Sequence, residues 1–233
     1  ISKGCGAASV KLFCFRQTNE LQFSQIMGVV CVFTHKVPEG KSGQQTVDLL
    51  QKRIEDVGAV KTGNFLVECE SYQAVQTSTT QKTVHIIHNS ETPATCYAIT
   101  DSGVCLSADI LFDAVMVKLR DFYSAKKNLR VESKGQRYEI GDFVIKIGSV
   151  VIGQNTSFKG ILVEVEYLAC EMPNECWNLM KEFMTGFMGS NMDSPTSHFT
   201  KRMENLYMPV DTAQQYLEHF NNFRKATSMQ PQR

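Results

Sequence analysis

The chain of 233 residues is 42% hydrophobic and 21% charged, a balance typical of folded proteins with a sizeable core rather than of disordered chains. Its 24 Lys and Arg match its 24 Asp and Glu, so no net field draws it to nucleic acid or anionic lipid. The 8 cysteines form no C-x-x-C pair, which excludes the common zinc and thioredoxin-like motifs, and free thiols are expected.

The folded region is expected to start at Met27. Charged residues interrupt residues 1–26, so this stretch has no apolar core of a signal peptide, and no later run is apolar enough to span a membrane. Met27 followed by Gly28 resembles a translation start. We therefore predict that residues 1–26 are a non-native leader or extension outside the fold, that 27–226 form one domain and that 227–233 are a tail.

The first elements are predicted to be a buried strand and an amphipathic helix. Residues 27–34 form a short apolar run rich in β-branched side chains, and a loop at 38–40 follows it. Gly58 is placed to end the helix in a left-handed conformation. The apolar residues expected on the buried face of that helix are Val47, Leu50, Ile54 and Val57.

Strand-like runs fill the middle of the chain. They span residues 64–72, 83–88, 95–100 and 103–107. In the first run, Phe65 and Val67 lie on one face while Glu68 and Glu70 lie on the other, as in a strand with one buried side. Turn-forming residues at 101–103 predict a hairpin between the last two runs.

A second helix and a second group of strands are predicted next. The helix is expected to run from an Asp109 cap to about Ser124. Its expected buried stripe consists of Leu111, Val115, Leu119 and Phe122. The strands are expected at 129–133, 136–140, 142–151 and 159–168. In the last of them Val163 and Val165 alternate with Glu164 and Glu166, so the two glutamates are expected to face water.

Two helices are predicted to complete the fold. One runs from an Asn174 cap to Gly189, and the other from an Asp211 cap, with Gln214 closing a capping box, to Lys225. Residues 191–209 between them form the most loop-like stretch. The resulting order, a strand, a helix, strands, a helix, strands and two helices, predicts the α+β class with antiparallel pairing in a single domain.

Wide apolar stripes mark both terminal helices. The first stripe contains Cys176, Trp177, Met180, Phe183, Met184, Phe187 and Met188. The second contains Ala213, Tyr216, Leu217, Phe220 and Phe223. Packing against the sheet is the simpler explanation, but methionine and aromatic side chains also suit a partner surface. The residues predicted to bind a partner are Tyr216, Leu217, Phe220 and Phe223.

Signals for nucleotide or metal binding are weak. Gly40-Lys41-Ser42 lies where a phosphate-binding loop would sit, but the required earlier glycine is replaced by His35, so an ordinary helix start is predicted. His85 and His88 point to opposite faces of a strand and cannot easily share a metal ion. No catalytic residue, metal or cofactor is therefore expected.

Two other functional classes stay open on the sequence. A small hydrolase could use a surface carboxylate pair, either Glu68 with Glu70 or Glu164 with Glu166. A nucleic-acid binder would need a continuous basic face. The residues that could form such a face are Lys126, Lys127, Arg130, Lys134 and Arg137.

Several segments, in the right order from Met27 to about Ala226, resemble subunit 20 of the Mediator transcription coactivator, animal type. They read VPEGKSGQQTVDLLQKRIEDVGA, NFLVECESYQ, HNSETPATCYAI, FDAVMVKLRDFY, RYEIGDFVIKIGSV, GILVEVEY, ECWNLMKEFM and YMPVDTAQQYLEHFNNFRK. No single segment is a chemical motif, so the specificity of the resemblance comes from their number and order.

The resemblance implies a fold and a set of partners. The fold would be a strongly curved antiparallel sheet approaching a β-barrel, with about four packed helices, similar to that of Mediator subunit 18. The function would be that of a structural, protein-binding subunit in the nucleus, paired with subunit 18 and joined through a segment of subunit 8 to the head module. TATA-binding protein and RNA polymerase II would lie nearby. The resemblance carries over no catalytic residues and implies no enzyme.

Overall fold

The computed structural model describes residues 28–75, 82–153, 157–189 and 194–228. The strands are β1 Val29–His35, β2 Val60–Ala74, β3 Thr83–Asn89, β4 Thr95–Thr100, β5 Cys105–Asp109, β6 Tyr123–Ala125, β7 Val131–Ile140, β8 Phe143–Ile152 and β9 Phe158–Tyr167. The helices are α1 Gly43–Asp56, α2 Phe112–Lys118, α3 Pro173–Met188, α4 Ser197–Lys201 and α5 Pro209–Ser228, with one 3-10 turn at Lys127–Leu129. No helix in these ranges is both long and apolar enough to cross a membrane. The predicted leader lies outside the described residues.

One antiparallel sheet of 9 strands organises the fold. Its order is β1-β9-β8-β7-β2-β3-β4-β5, and the short β6 pairs with β2 beside this path. Helix α5 contacts β1 and β9 near one end of the sheet and β3 and β4 near the other, so the sheet curves around that helix. The α+β class and the curved antiparallel sheet are confirmed, but β1 and β5 do not pair and the barrel is not closed.

A pair of glycines lets β7 and β8 approach their neighbours closely. Gly135 on β7 lies directly opposite Gly148 on β8. A Cβ atom on Gly135 would stand 1.9 Å from the carbonyl oxygen of Ile147, and one on Gly148 would stand 2.7 Å from the ring of Phe65. Only glycine allows so close an approach at these two positions.

The central strands are covered on both faces, by different kinds of side chain. On the outer face, the ring of Phe33 lies 6.4 Å from Trp177 of α3, and the ring of Phe143 stacks 4.1 Å from Phe183. On the inner face, the Tyr216 hydroxyl of α5 donates a hydrogen bond to Glu164 of β9. The outer layer is therefore apolar, while the inner layer combines apolar side chains with a buried polar network.

Helix α2 exposes most of the apolar stripe that was predicted to be buried. Asp109 does not cap it; its Oδ1 accepts a hydrogen bond from the Leu111 N–H at 2.8 Å, and the helix begins only at Phe112. The inward-facing residues are Phe112, Met116 and Leu119, of which only Leu119 was predicted, and they pack in the cluster around Ile86. The predicted core residues left exposed are Leu111, Val115 and Phe122. That prediction was wrong because α2 is apolar on two faces.

The two long terminal helices begin at prolines rather than after the predicted capping residues. Pro173 is the first residue of α3, after Met172, so Asn174 is not its cap. Pro209 begins α5, and Asp211 lies inside its first turn, where Oδ2 accepts a hydrogen bond from the Met208 N–H at 2.8 Å. The predicted box with Gln214 does not form. Proline takes the first helical position readily because its missing N–H would have had no partner there.

Other elements divide into confirmed and corrected predictions. The first helix buries Val47, Leu50 and Ile54 and is followed by Gly58 at φ +104°, as expected, but Val57 is exposed. The hairpin of β4 and β5 is confirmed. The two strands expected at 129–133 and 136–140 are one strand, β7, while β6 and the α4 helix inside the expected loop were not predicted.

Side chains of α5 cover the free edge of β1. Gln215 Oε1 accepts a hydrogen bond from the Val32 N–H at 3.0 Å, and its Nε2 donates to the Val30 carbonyl at 2.9 Å. His219 Nε2 donates to the Val32 carbonyl at 2.9 Å. A strand edge normally offers unpaired backbone groups to other chains. Here Gln215 and His219 satisfy three backbone groups of that edge from within the molecule.

We predict that Gln215→Leu destabilises the fold because the Val32 N–H and the Val30 carbonyl lose their partners inside the core. Each unpaired group should cost about 1–3 kcal/mol of unfolding free energy. Urea unfolding measures the effect, and the neighbouring Gln214→Leu, on the partly exposed side of the same helix, is the matched control. Equal midpoints for the two variants would show that the edge is not held by Gln215.

Candidate functional site

A cavity of about 440 Å³ lies between α5 and the inner face of the sheet. Its walls combine apolar residues, such as Ile87 and Val144, with charged ones. The charged residues that line it are Glu91, Arg137, Lys146, Glu164 and Glu166. These groups come from β7, β8, β9 and the loop after β3, so the pairing of the strands brings them together beneath α5.

Lys146 is the centre of the charge network in this cavity. Its side chain is only 3% exposed, and Nζ lies 2.7 Å from Glu164 Oε1 and also contacts Glu91. Arg137 Nε lies 2.8 Å from the other oxygen of Glu91. The Tyr216 hydroxyl donates to Glu164 Oε2 at 2.5 Å. Glu164, which the sequence placed in water, is 2% exposed because α5 and Lys146 cover it.

Lys146 and Tyr216 keep protonation states in the cavity that suit a structural role. Burial lowers the pKa of Lys146, but Glu164 and Glu91 outweigh it and hold that pKa above its ordinary value. Burial and Glu164 together raise the pKa of Tyr216, so its hydroxyl remains a donor. Lys146 therefore stays charged and Tyr216 neutral, and neither group is poised to act as a base near neutral pH.

A second cluster resembles a hydrolase triad in composition. Ser71 Oγ lies 2.9 Å from His85 Nδ1, and His85 Nε2 lies 3.4 Å from Asp101 Oδ1. Burial lowers the pKa of His85, and the positive charge of Arg224 lowers it further. His85 and Asp101 line a cavity of about 290 Å³, but Ser71 is 2% exposed and does not. The serine has no access to a substrate, so the cluster ties β2 to β3 and to the turn before β5.

The residues considered for metal or phosphate binding have separate structural partners. His88 faces Asp113 at 3.3 Å, away from His85. Ser42 caps α1 and shares reciprocal hydrogen bonds with Gln45, so this segment is an ordinary helix start. Within the ranges that the structure describes, no group of three or more His, Cys, Asp or Glu side chains is arranged to hold a metal ion.

The remaining carboxylates and basic residues largely pair with one another. Glu68 contacts Arg130, and Glu70 accepts a hydrogen bond from the Tyr72 hydroxyl at 2.8 Å. Arg130 also lies 3.1 Å from Glu132, and Arg137 contacts Glu91. Two members of the expected basic face are thus paired with carboxylates, which weakens the positive field that this face could present to a phosphate backbone.

Three of the four residues predicted to bind a partner lie in the core of the chain itself. Tyr216, Leu217 and Phe220 are 1%, 7% and 0% exposed. Phe223 is partly buried, with its ring directly over Gly160 of β9. Packing on the sheet accounts for most of this stripe. Contact between α5 and another protein stays a prediction.

An apolar surface at the open end of the sheet was missed by the sequence reasoning. We call it the β5–α2 surface. Its residues and exposed fractions are Val104 65%, Leu106 53%, Leu111 72%, Val115 44%, Val117 67% and Phe122 57%. The sequence did mark part of this surface as apolar, since Leu111, Val115 and Phe122 belong to the stripe that was predicted to be buried. Exposed apolar side chains beside an open strand are a candidate surface for contact with another protein.

A family model matches residues 27–221 of the chain. Its description is "TATA-binding related factor (TRF) of subunit 20 of Mediator complex". The match includes all the strands of the sheet, both sides of the charged cavity and the β5–α2 surface.

Curated relatives agree with that match. The chain is 50% identical over 203 residues to "Mediator of RNA polymerase II transcription subunit 20" of Anopheles gambiae, covering 82% of this chain and 92% of the relative. The protein of the same name in Aedes aegypti is 46% identical, with 87% and 97% covered. The Homo sapiens protein of that name is 43% identical, with 85% and 95% covered.

We predict that Lys146→Met destabilises the fold because it leaves Glu164 buried without its cation. Removing one partner of a buried ion pair typically costs about 3–5 kcal/mol. Thermal and urea unfolding measure the loss, with Lys61→Met on the exposed start of β2 as the control. If both lysine variants unfold alike, Lys146 is not the centre of the network.

Proposed function

The chain belongs to the family of subunit 20 of the Mediator complex, and on that premise we propose that it is a structural, protein-binding subunit of the Mediator head module that pairs with subunit 18. Its relatives carry the name of a subunit of a transcription complex, not of an enzyme, which agrees with the prediction that the chain is not an enzyme. As a Mediator subunit it contacts other Mediator subunits, and the nucleus is its proposed location.

The observation that supports this proposal best is the contrast between the two ends of the sheet. Side chains of α5 satisfy the outer edge of β1. At the other end, β5 is the terminal strand and the β5–α2 surface is exposed. A partner that covers this end would remove both the apolar surface and the open edge from water.

The hydrogen-bond pattern of β5 shows which of its backbone groups are available. The Thr100 N–H donates to the Val104 carbonyl at 2.9 Å, and the Ile110 N–H donates to the Ala94 carbonyl at 3.1 Å. Pairing alternates along an antiparallel strand, so residues of even number bond to β4. The residues whose backbone groups face outward without such a partner are Cys105 and Ser107, since the Asp109 carbonyl accepts a hydrogen bond from the Cys96 thiol at 3.5 Å. A strand of the partner can add there by β-augmentation.

Burial of the β5–α2 surface would contribute to association. Full burial of one Leu, Val or Phe side chain contributes roughly 1.5–3 kcal/mol. These side chains are between 44% and 72% exposed, so covering three of them would supply about 2–6 kcal/mol before the entropic cost of association. Pairing of this kind needs no catalytic group, in keeping with the structural networks in both cavities.

The finer assignments rest on the family resemblance. We propose that residues 27–226 form the functional unit, and that a segment of subunit 8 links the pair to the rest of the head module. TATA-binding protein and RNA polymerase II are proposed as further neighbours, with no sequence-specific contact to nucleic acid. The near-neutral charge and the pairing of Arg130 and Arg137 with carboxylates favour protein over nucleic acid as the partner.

The last helix remains a second proposed docking element. Its core residues Tyr216, Leu217 and Phe220 position it, so only its carboxyl-terminal part, beginning at the partly exposed Phe223, is accessible. We expect Phe223→Asp to weaken capture of subunit 18 if this end contributes. The Phe223 ring also packs on Gly160, so loss of capture could come from a loss of folding. A wild-type melting curve for the variant excludes that explanation. Unchanged capture by the folded variant would remove α5 from the interface.

We predict that replacing Leu111 and Val115 together by Asp prevents pairing with subunit 18 while leaving the fold intact. Both side chains are exposed on the same helix face, so the isolated chain should unfold at nearly the same temperature. The charges would be buried without partners only in the complex, and capture in a pull-down should fall at least about tenfold, which corresponds to roughly 1.4 kcal/mol.

The matched control replaces two exposed apolar residues elsewhere. Val60 at the start of β2 and Leu179 on α3 are also exposed, and their double Asp variant should bind subunit 18 as the wild type does. Wild-type capture by the Leu111 and Val115 variant, or equal loss in both double variants, would contradict the proposed interface.

A further inference from the structure

Glu166 differs from the other carboxylates of the charged cavity. Glu91 and Glu164 both contact Lys146, and Glu91 also pairs with Arg137. In the described part of the chain Glu166 makes no such ion pair. Its Oε1 accepts a hydrogen bond from the backbone N–H of Gly28 at 3.2 Å. A partly buried carboxylate is thus held by a neutral donor.

The surroundings of Glu166 favour a cation at this point. Burial raises its pKa, and Glu164 on the same strand and Glu91 raise it further. Lys146 on β8 and the Gly28 N–H lower it, but Lys146 is shared by the other two glutamates. Arg137 on β7 is occupied by Glu91 and Glu139, and the Tyr216 hydroxyl of α5 is bonded to Glu164. One positive charge beside Glu166 would complete the pairing.

Gly28 lies at the position where such a charge can arise. A Cβ atom on this residue would stand 2.1 Å from the carbonyl oxygen of Tyr167, so the site accepts only glycine. Met27 precedes it, and the family match begins at that methionine. Glycine after an initiating methionine permits removal of that methionine, which turns the glycine nitrogen into an α-amino group.

We propose that, in chains translated from Met27, Met27 is removed and the free α-ammonium group of Gly28 binds Glu166, which makes this end of the cavity a docking site for the amino terminus. The step is hydrolysis. Water adds across the Met27–Gly28 peptide bond, methionine leaves with the new carboxylate, and the nitrogen that stays on Gly28 takes up a proton. The nitrogen already lies 3.2 Å from Glu166 Oε1, so the backbone need not move.

The first test identifies the amino terminus of the protein in its native complex. Mediator is purified from cells, and the amino-terminal peptide of this subunit is identified by mass spectrometry. We expect a peptide that starts at Gly28 with an unmodified amine. Retained Met27, an acetylated or otherwise blocked Gly28, or a peptide that includes upstream residues would overturn the proposal.

The second test uses Glu166→Gln in two backgrounds. All strands and helices of the described fold follow Gly28, so a chain that begins at Gly28 contains the whole sheet. In the full 233-residue chain, position 28 is a peptide amide, and removing the raised-pKa carboxylate should leave the melting temperature at pH 7 unchanged or higher. In the chain that begins at Gly28, the same substitution removes an ion pair and should lower it.

The pH dependence of the stability distinguishes the ion pair from a neutral hydrogen bond. An ion pair with Glu166 raises the α-amino pKa above its unfolded value of about 7.7–8.0, so the stabilisation is present below that pH and is lost as the pH rises through the folded pKa. Carbon-13 labelling of the amine by reductive methylation reports this pKa by NMR. An α-amino pKa that Glu166→Gln leaves unchanged would refute the docking site, as would equal melting shifts in both backgrounds.

Discussion

The structure depends on the seating of α5 against the inner face and the outer edge of the sheet. Gln215 and His219 supply hydrogen bonds to the free backbone groups of β1, where a neighbouring strand would otherwise lie. The adjacent residue Tyr216 bonds to Glu164 and completes the lysine-centred network. The same seating of α5 therefore bonds to the β1 edge and supplies one wall of the charged cavity.

This arrangement makes the two ends of the sheet unequal. The β1 end is satisfied within the chain, whereas the β5 end keeps an open strand and an apolar surface on α2. Gln215 and His219 occupy three backbone groups of the β1 edge, so addition of a partner strand is favoured at the β5 end. Membership in the Mediator subunit 20 family and the geometry of the sheet therefore support the same kind of function.

Local patterns in the sequence were sufficient for most elements, and long-range contacts explain the failures. Alternation in β2 and helical spacing in α1 identified their buried faces, since each pattern had one apolar side. In α2 the sequence is apolar on two sides, around Met116 and around Leu111, and only the position of β3 and β4 decides which side is buried. Glu164 looked like a surface residue because Lys146 and Tyr216, its buried partners, lie far from it along the chain.

Amide hydrogen exchange on the free and the paired subunit distinguishes the hydrogen-bonded β1 edge from the open β5 end. In the free chain, the amide of Val32 should exchange slowly, because Gln215 accepts its hydrogen bond, while the outward-facing amides of Cys105 and Ser107 should exchange fast. Addition of Mediator subunit 18 should slow exchange throughout residues 105–122 and leave β1 unchanged. Unchanged exchange at 105–122 together with new protection elsewhere would contradict the account.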